Sequence, residues 1–304
     1  MRFHRTEAER QKNPTDKERL YQKLSTDPTL VSLRERNRNK PRVEVMPITP
    51  YDKYPTVKSI QSALQRLPEI QTHARAAEMI REFVGKALAA APAGKLIVIL
   101  LGENHGSDLA ITLALSTLHL VANHPQNYPQ KKYLVEHPAE TVTTYKEYAP
   151  DYIADFQHAE TAGIGFSAYS PESDAQTARV VTNYTYAMAK GFQLESMDPK
   201  HHTAGSMDER EAAMVNRIWH EAQGAQVTVV SVGLHHLPAL HERLAENFYT
   251  IGVMHAQMPV PGYNEQVKRA SYALAKPDQI LMVRPDPRLA DAPVDAIELQ
   301  NSFK

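Results

Sequence analysis

An α/β fold with a mostly parallel central sheet flanked by helices, and with additional N-terminal helices, is what this chain of 304 residues predicts. Two observations carry that expectation. From Leu96 onward, short apolar runs alternate with helical patterns, and such alternation implies right-handed crossovers between parallel strands. The runs Leu96–Leu101 and Val227–Val232 are largely apolar rather than alternating, as strands covered on both faces are.

Residues 1–50 read as a basic polar extension, partly helical or flexible. Thr15-Asp-Lys-Glu18 has capping-box spacing and Leu20 and Leu24 follow on one side, but the segment is too charged to bury much surface. Proline-bearing sequence at Pro41–Pro55 separates it from residues 51–304, which read as a single α/β domain with its core at about 95–245. Helical patterns cover Val57–Leu67 and the Ala-rich stretch Ile70–Ala90. Strands are expected at Leu96–Leu101, Tyr133–Val135, Phe192–Met197 and Val227–Val232, with helices between them at Asp108–Ala122, Asp174–Lys190 and Ser206–Ala222. The last helix opens on a capping box, Ser206-Met-Asp-Glu209, and carries an apolar stripe through Met214, Ile218 and Ala222. Tyr249–Met254 and Gln279–Val283 are candidate further strands, and Pro259–Tyr263 reads as loop.

Composition narrows the function. The formal net charge of −1 hides an asymmetry: residues 1–43 carry 12 Lys/Arg against 6 Asp/Glu, a net +6, which leaves the body at −7. The basic arm is interleaved with acids and lacks an aromatic pattern for stacking bases, so no nucleic-acid partner is expected. Cysteine is absent, which excludes thiol nucleophiles and thiolate metal sites and leaves His, Asp and Glu as metal ligands. The N-terminus has no apolar segment of signal type and no run reaches the ~18 residues of a membrane span. The expectation is a cytoplasmic chain, with signal-less secretion as an effector or toxin left open.

Ligands of an open parallel sheet bind where strands end and loops begin. Here Glu103 and His105 follow the first strand, Glu136 and His137 the second, Asp198 with His201 and His202 the third, and His235 and His236 the fourth. Each alone reads as a solvated loop residue; together they outline one cleft, because the sheet gathers all four ends at one edge. Glu103 and His105 are two apart, so extended backbone projects them to one side, while Gly102 and Gly106 allow close backbone approach. His235 and His236 are adjacent, so only one of them belongs to the cleft. His137, beside Glu136, is expected on the opposite side of its strand. Tyr169 and Tyr184 are candidate substrate contacts. Asn183-Tyr-Thr185 matches a glycosylation acceptor but falls inside a predicted helix, and is set aside.

These residues resemble a known family. Gly102-Glu-Asn-His105 and Gly233-Leu-His-His236 look like the paired G-x-x-H motifs of the ChaN, TraB, TIKI and erythromycin-esterase superfamily. Glu136 in LVEHP stands where that family has a Glu after its second strand, and Arg210-Glu-Ala-Ala-Met214 is similar to its helical Arg motif. The resemblance spans about residues 95–245 and implies an α/β core. Members include haem-binding proteins, a metal-dependent protease, macrolide esterases and domains of toxins and effectors. The short Glu-x-His spacing is that of the haem-binding branch and argues against macrolide hydrolysis.

Two classes of function follow. In the first, the protein is a hydrolase of ester or amide bonds acting on a small-molecule or peptide substrate. His105 or His236 is the general base on water, Glu103 and Glu136 orient the imidazoles or hold a divalent metal, and Arg210 neutralises an oxyanion. No G-x-S-x-G elbow is present, so water is the expected nucleophile. His105, Glu136, His236 and Glu103 also suit Mn²⁺, Zn²⁺ or Fe²⁺. In the second, the same groups bind haem or a metal without turnover, with axial ligands drawn from 14 His and 14 Tyr.

Overall fold

The structure is a computed structural model and describes residues 56–67, 69–104, 107–164, 166, 175–198, 205–256 and 264–286. The extension at 1–50, His105, Tyr169, His201 and His202 lie outside the described residues, as do the expectations attached to them.

In chain order the elements are α1 (Val57–Gln65), β1 (Glu69–Ile70), α2 (His73–Ala90), β2 (Ile97–Glu103), α3 (Asp108–Ala122) and β3 (Lys131–Val135). There follow α4 (Ala139–Ala162), α5 (Ala175–Ala189), β4 (Gln193–Ser196), α6 (Met207–Ala222), β5 (Val227–Gly233), α7 (Leu237–Leu244), β6 (Tyr249–His255), α8 (Asn264–Leu274) and β7 (Ile280–Pro285). The seven strands form one sheet in the order β1-β7-β6-β2-β5-β3-β4, and every neighbouring pair is parallel. All the described strand C-termini therefore face one edge of the sheet, the edge where ligands bind in folds of this kind.

Period-two alternation along the strands assigns the two faces. Ile97, Ile99 and Leu101 of β2 join Val227 and Val229 of β5 in one core cluster, together with residues of α2, α3, α4 and α5. Val98 and Leu100 join Val230 and Val232 in a second cluster with residues of α1, α6, α7 and α8. Four helices thus cover each face, which is why β2 and β5 are buried along their length apart from the half-buried Glu103.

The helices start where their caps stand. Thr72 accepts from Arg75 N at 3.1 Å, so α2 begins at His73; the residues before it, Glu69–Ile70, pair with β7 as a short edge strand rather than extending the helix. Ser107 accepts from Leu109 N and opens α3, which is buried almost throughout. In α6 Ser206 accepts from Glu209 N at 3.2 Å, but the Glu209 carboxylate reaches Gly205 N rather than Ser206, so only half of the expected capping box forms. Helix α4 follows Pro138, runs through Pro150 and stops at Gly163, whose φ of 66° is the left-handed conformation that favours glycine. Among the described residues, no helix is long and apolar enough to cross a membrane.

Candidate functional site

Glycine at position 102 is required by packing. A Cβ there would lie 3.0 Å from Leu237 Cδ1 and 3.0 Å from Met254 Cβ, so the end of β2 seats against α7 and β6 only without a side chain. This close approach brings the β2 terminus against the β5–α7 turn, where Leu234 N donates to Glu103 O at 2.9 Å.

On the α6–α7 side of the sheet edge the polar residues are paired with one another. Arg210, in the first turn of α6, donates through Nε and Nη2 to Asp198 Oδ2 at 3.0 and 2.6 Å, and through Nη2 to Glu136. Glu136 Oε2 accepts from Gly233 N at 2.5 Å. The cation at an unfavourable helix position is thus held by two carboxylates that follow β3 and β4, Glu136 and Asp198. His236 opens α7, with Nδ1 3.1 Å from Glu211 Oε1 and Nε2 3.7 Å from Glu136 Oε1. Arg269 of α8 donates to the same Glu211 oxygen at 3.3 Å. Asp198 and Glu211 are 2% exposed and His236 4%, so these charges sit in a medium that holds them only as pairs.

An ionised Glu211 only accepts hydrogen bonds, so His236 donates to it from Nδ1, and a neutral imidazole in this position has its lone pair on Nε2. That lone pair then faces Glu136 Oε1 across a gap too long for a direct bond and of the size a proton-donating molecule would bridge.

On the α3–α5 side lies a narrow cleft. Glu103, Ser107, Tyr133, Glu136, His137, Asn183, Tyr184 and Ser231 line it with a few apolar residues, and the volume open to water is about 30 Å³. Tyr133 and Ser231 share a 2.7 Å hydrogen bond, and Tyr184 OH meets His137 Nδ1 at 2.6 Å. Burial, reinforced by the Glu103 carboxylate, pushes the phenols of Tyr133 and Tyr184 well above their usual range, so both remain protonated. Glu136 bonds Arg210 of α6 whereas His137 meets Tyr184 of α5, and both residues line the cleft.

The expected cluster is thus partly assembled. Glu136, Arg210 and His236 share one network, and Glu103 shares a cleft with Glu136, whereas His105 is outside the described residues. His235 is not among the residues lining the cleft, and its pKa is lowered by burial and then by Arg269 and His236 of the network. Glu211, Arg269 and Asn183 were not anticipated as members; only the position of Glu211 directly after Arg210 offered a signal. Among the described residues no group of three or more His, Asp or Glu side chains is arranged to hold a metal, and both oxygens of Glu136 are engaged by Arg210 and Gly233 N–H.

Comparison with protein-family models, with curated proteins and with solved structures finds no match for this chain.

Proposed function

We propose that the protein is a hydrolase of ester or amide bonds in which His236 is the general base. The observation that carries this is the Glu211–His236–Glu136 series at the strand C-termini, where a carboxylate fixes the imidazole tautomer and leaves Nε2 directed at the site. The cleft has room for about two waters, since a water needs about 10–15 Å³ of such space. His236 Nε2 takes a proton from a water beside Glu136, the residue that the network shares with the cleft, as that water attacks the carbonyl, and Glu211 stabilises the imidazolium that results. Arg210 supplies the positive charge beside which the tetrahedral oxyanion forms. The leaving group then receives the proton from Nε2, and the imidazole returns to its starting tautomer.

The metal-assisted version of this chemistry has one observation in its favour. A carboxylate on Nδ1 is the partner that a metal-bound imidazole usually has. In that version His236 Nε2 would hold the ion, which would supply a water of lowered pKa. Purified protein, prepared without chelators or affinity metals, is assayed on p-nitrophenyl esters and on acyl p-nitroanilides with and without EDTA. Turnover that survives EDTA supports the metal-free reading; turnover lost in EDTA and restored by Mn²⁺ or Zn²⁺ supports the metal version; no turnover on either class under either condition overturns both.

A further inference from the structure

One oxygen of Glu211 serves two donors. Its Oε1 lies 3.1 Å from Nδ1 of His236 and accepts from Nη2 of Arg269 at 3.3 Å, so the proposed base and a guanidinium from α8 meet on the same atom. The carboxylate is 2% exposed, and a buried carboxylate keeps its charge only beside a cation. A neutral imidazole does not balance that charge, which leaves Arg269 as the cation paired with Glu211 among the described residues. An uncharged Glu211 would carry a hydroxyl and donate to Nδ1, and the imidazole proton would then sit on Nε2, the atom that has to be free. The tautomer of His236 therefore depends on the residue behind Glu211. Arg269 is set for this rather than for the strongest ion pair: it takes the oxygen that bears the His236 bond instead of gripping both oxygens as a fork, and its Nη1 is buried without a hydrogen bond. Tyr272 and Ala273 anchor α8 in the core of the same face, which fixes where the guanidinium stands.

We propose that Arg269 is a positioning residue for His236, acting through Glu211: it keeps the Glu211 carboxylate an acceptor turned toward Nδ1, so that the imidazole offers a free Nε2. Resting on the reading of His236 as general base, this adds a third member behind the Glu211–His236 pair. It also extends the site to α8, which lies beyond the stretch of about 95–245 where the core of the domain was expected.

The test reads the imidazole first and turnover second. In the full chain at pH 8, two-dimensional ¹H–¹⁵N spectra of the histidine rings report which nitrogen carries hydrogen, and the His236 signals are those missing from His236→Gln. The unaltered protein is expected to show hydrogen on Nδ1 and none on Nε2. Arg269→Met and the polar but uncharged Arg269→Gln are expected to show hydrogen on Nε2, whether Glu211 or His236 takes up the extra proton. Nε2 without hydrogen in either folded variant, or with hydrogen in the unaltered protein, overturns the proposal. In turnover of a p-nitrophenyl ester, Arg269→Met is expected to lower kcat about 10–100-fold with KM unchanged. Glu211→Gln and the double variant Glu211→Gln/Arg269→Met, which leaves neither member of the pair buried and charged, are expected to have the same kcat, because the arginine then has nothing to act through. A double variant about tenfold or more slower than Glu211→Gln, or an Arg269→Met that raises KM with kcat unchanged, shows an action other than through Glu211 and overturns the proposal. Hydrogen on Nε2 in Arg269→Met with no ester turnover by any form keeps the positioning and removes the hydrolase reading. Nε2 without hydrogen in Arg269→Met, with turnover unchanged, does the reverse.

Discussion

The two sides of the sheet's C-terminal edge solve the same problem in opposite ways. On the α6–α7 side, Asp198, Glu136, Arg210, Glu211 and Arg269 form ion pairs that His236 joins, and of these Arg269 Nη1 is left without a hydrogen bond. On the α3–α5 side, the cleft leaves Asn183 Oδ1 without one. A network of paired carboxylates and guanidinium groups holds its members in place, as a base and an oxyanion partner must be held. A surface with an unanswered acceptor is less stable by itself. Glu136 belongs to both, accepting from Arg210 and Gly233 N while lining the cleft.

The largest expected effect comes from opening the paired side. Arg210→Met leaves Glu136 and Asp198 buried without their cation and is expected to destabilise the fold by about 3–5 kcal/mol, read as the shift of a urea unfolding midpoint. Arg210→Lys keeps the charge but not the fork that reaches both carboxylates, and is expected to lose a smaller part. If both variants unfold where the unaltered protein does, the network does not carry the load assigned to it.

Acid offers a test on both faces. His241 of α7 is fully buried with Nδ1 2.9 Å from Tyr272 OH, and burial lowers its pKa to about 4. His119 of α3, 2.8 Å from Tyr186 OH on the other face, is likewise lowered to about 4, chiefly by burial. In the unfolded chain these groups titrate near 6.5, so between 6.5 and 4 the unfolded state binds more protons. Their stabilisation is complete above about pH 6.5 and is lost as pH falls toward 4. His241 contributes up to about 3 kcal/mol of this, and partly solvated His119 less. Melting temperatures measured from pH 7 to pH 4 are expected to fall, and less steeply in His241→Gln; an unchanged slope in that variant removes the assignment.

Gly102→Ala is expected to cost about 1–3 kcal/mol, because its Cβ would press on Leu237 and Met254. The smallest effect belongs to the cleft side: Asn183→Leu is expected to leave thermal stability unchanged or raise it by up to about 1 kcal/mol. Opposite signs for Arg210→Met and Asn183→Leu in one denaturation series would establish the difference between the two sides; equal losses would erase it.

Much of this was legible in the sequence, and the reasons are local. Helix α3 was bounded correctly because Ser107 caps it, and β2 and β5 were visible as apolar runs, since burial on both faces leaves no other composition. The 24-residue helix α4 was not visible: it has an internal proline and few buried positions, so no clear apolar stripe marks it. Strand order was out of reach as well, because β2 pairs with β5 and β6, more than a hundred residues away, through backbone groups that every sequence has. At the site, Glu103, Glu136, Arg210 and His236 were legible as polar residues following apolar strands or opening a helix. Glu211 was hidden by its neighbour Arg210, which explained both charges as a helical pair. Asn183 was hidden inside a glycosylation-like triplet, and only its burial separates it from a surface asparagine.

The most direct measurement is the ester hydrolysis rate of His236→Gln relative to the unaltered protein at pH 7, in EDTA and with folding verified by circular dichroism. A general base at this position predicts a loss of about 10²–10⁴-fold. A variant that hydrolyses the same ester within about threefold of the original rate, when a catalytic base supplies two orders of magnitude or more, would contradict the assignment of His236 as the base.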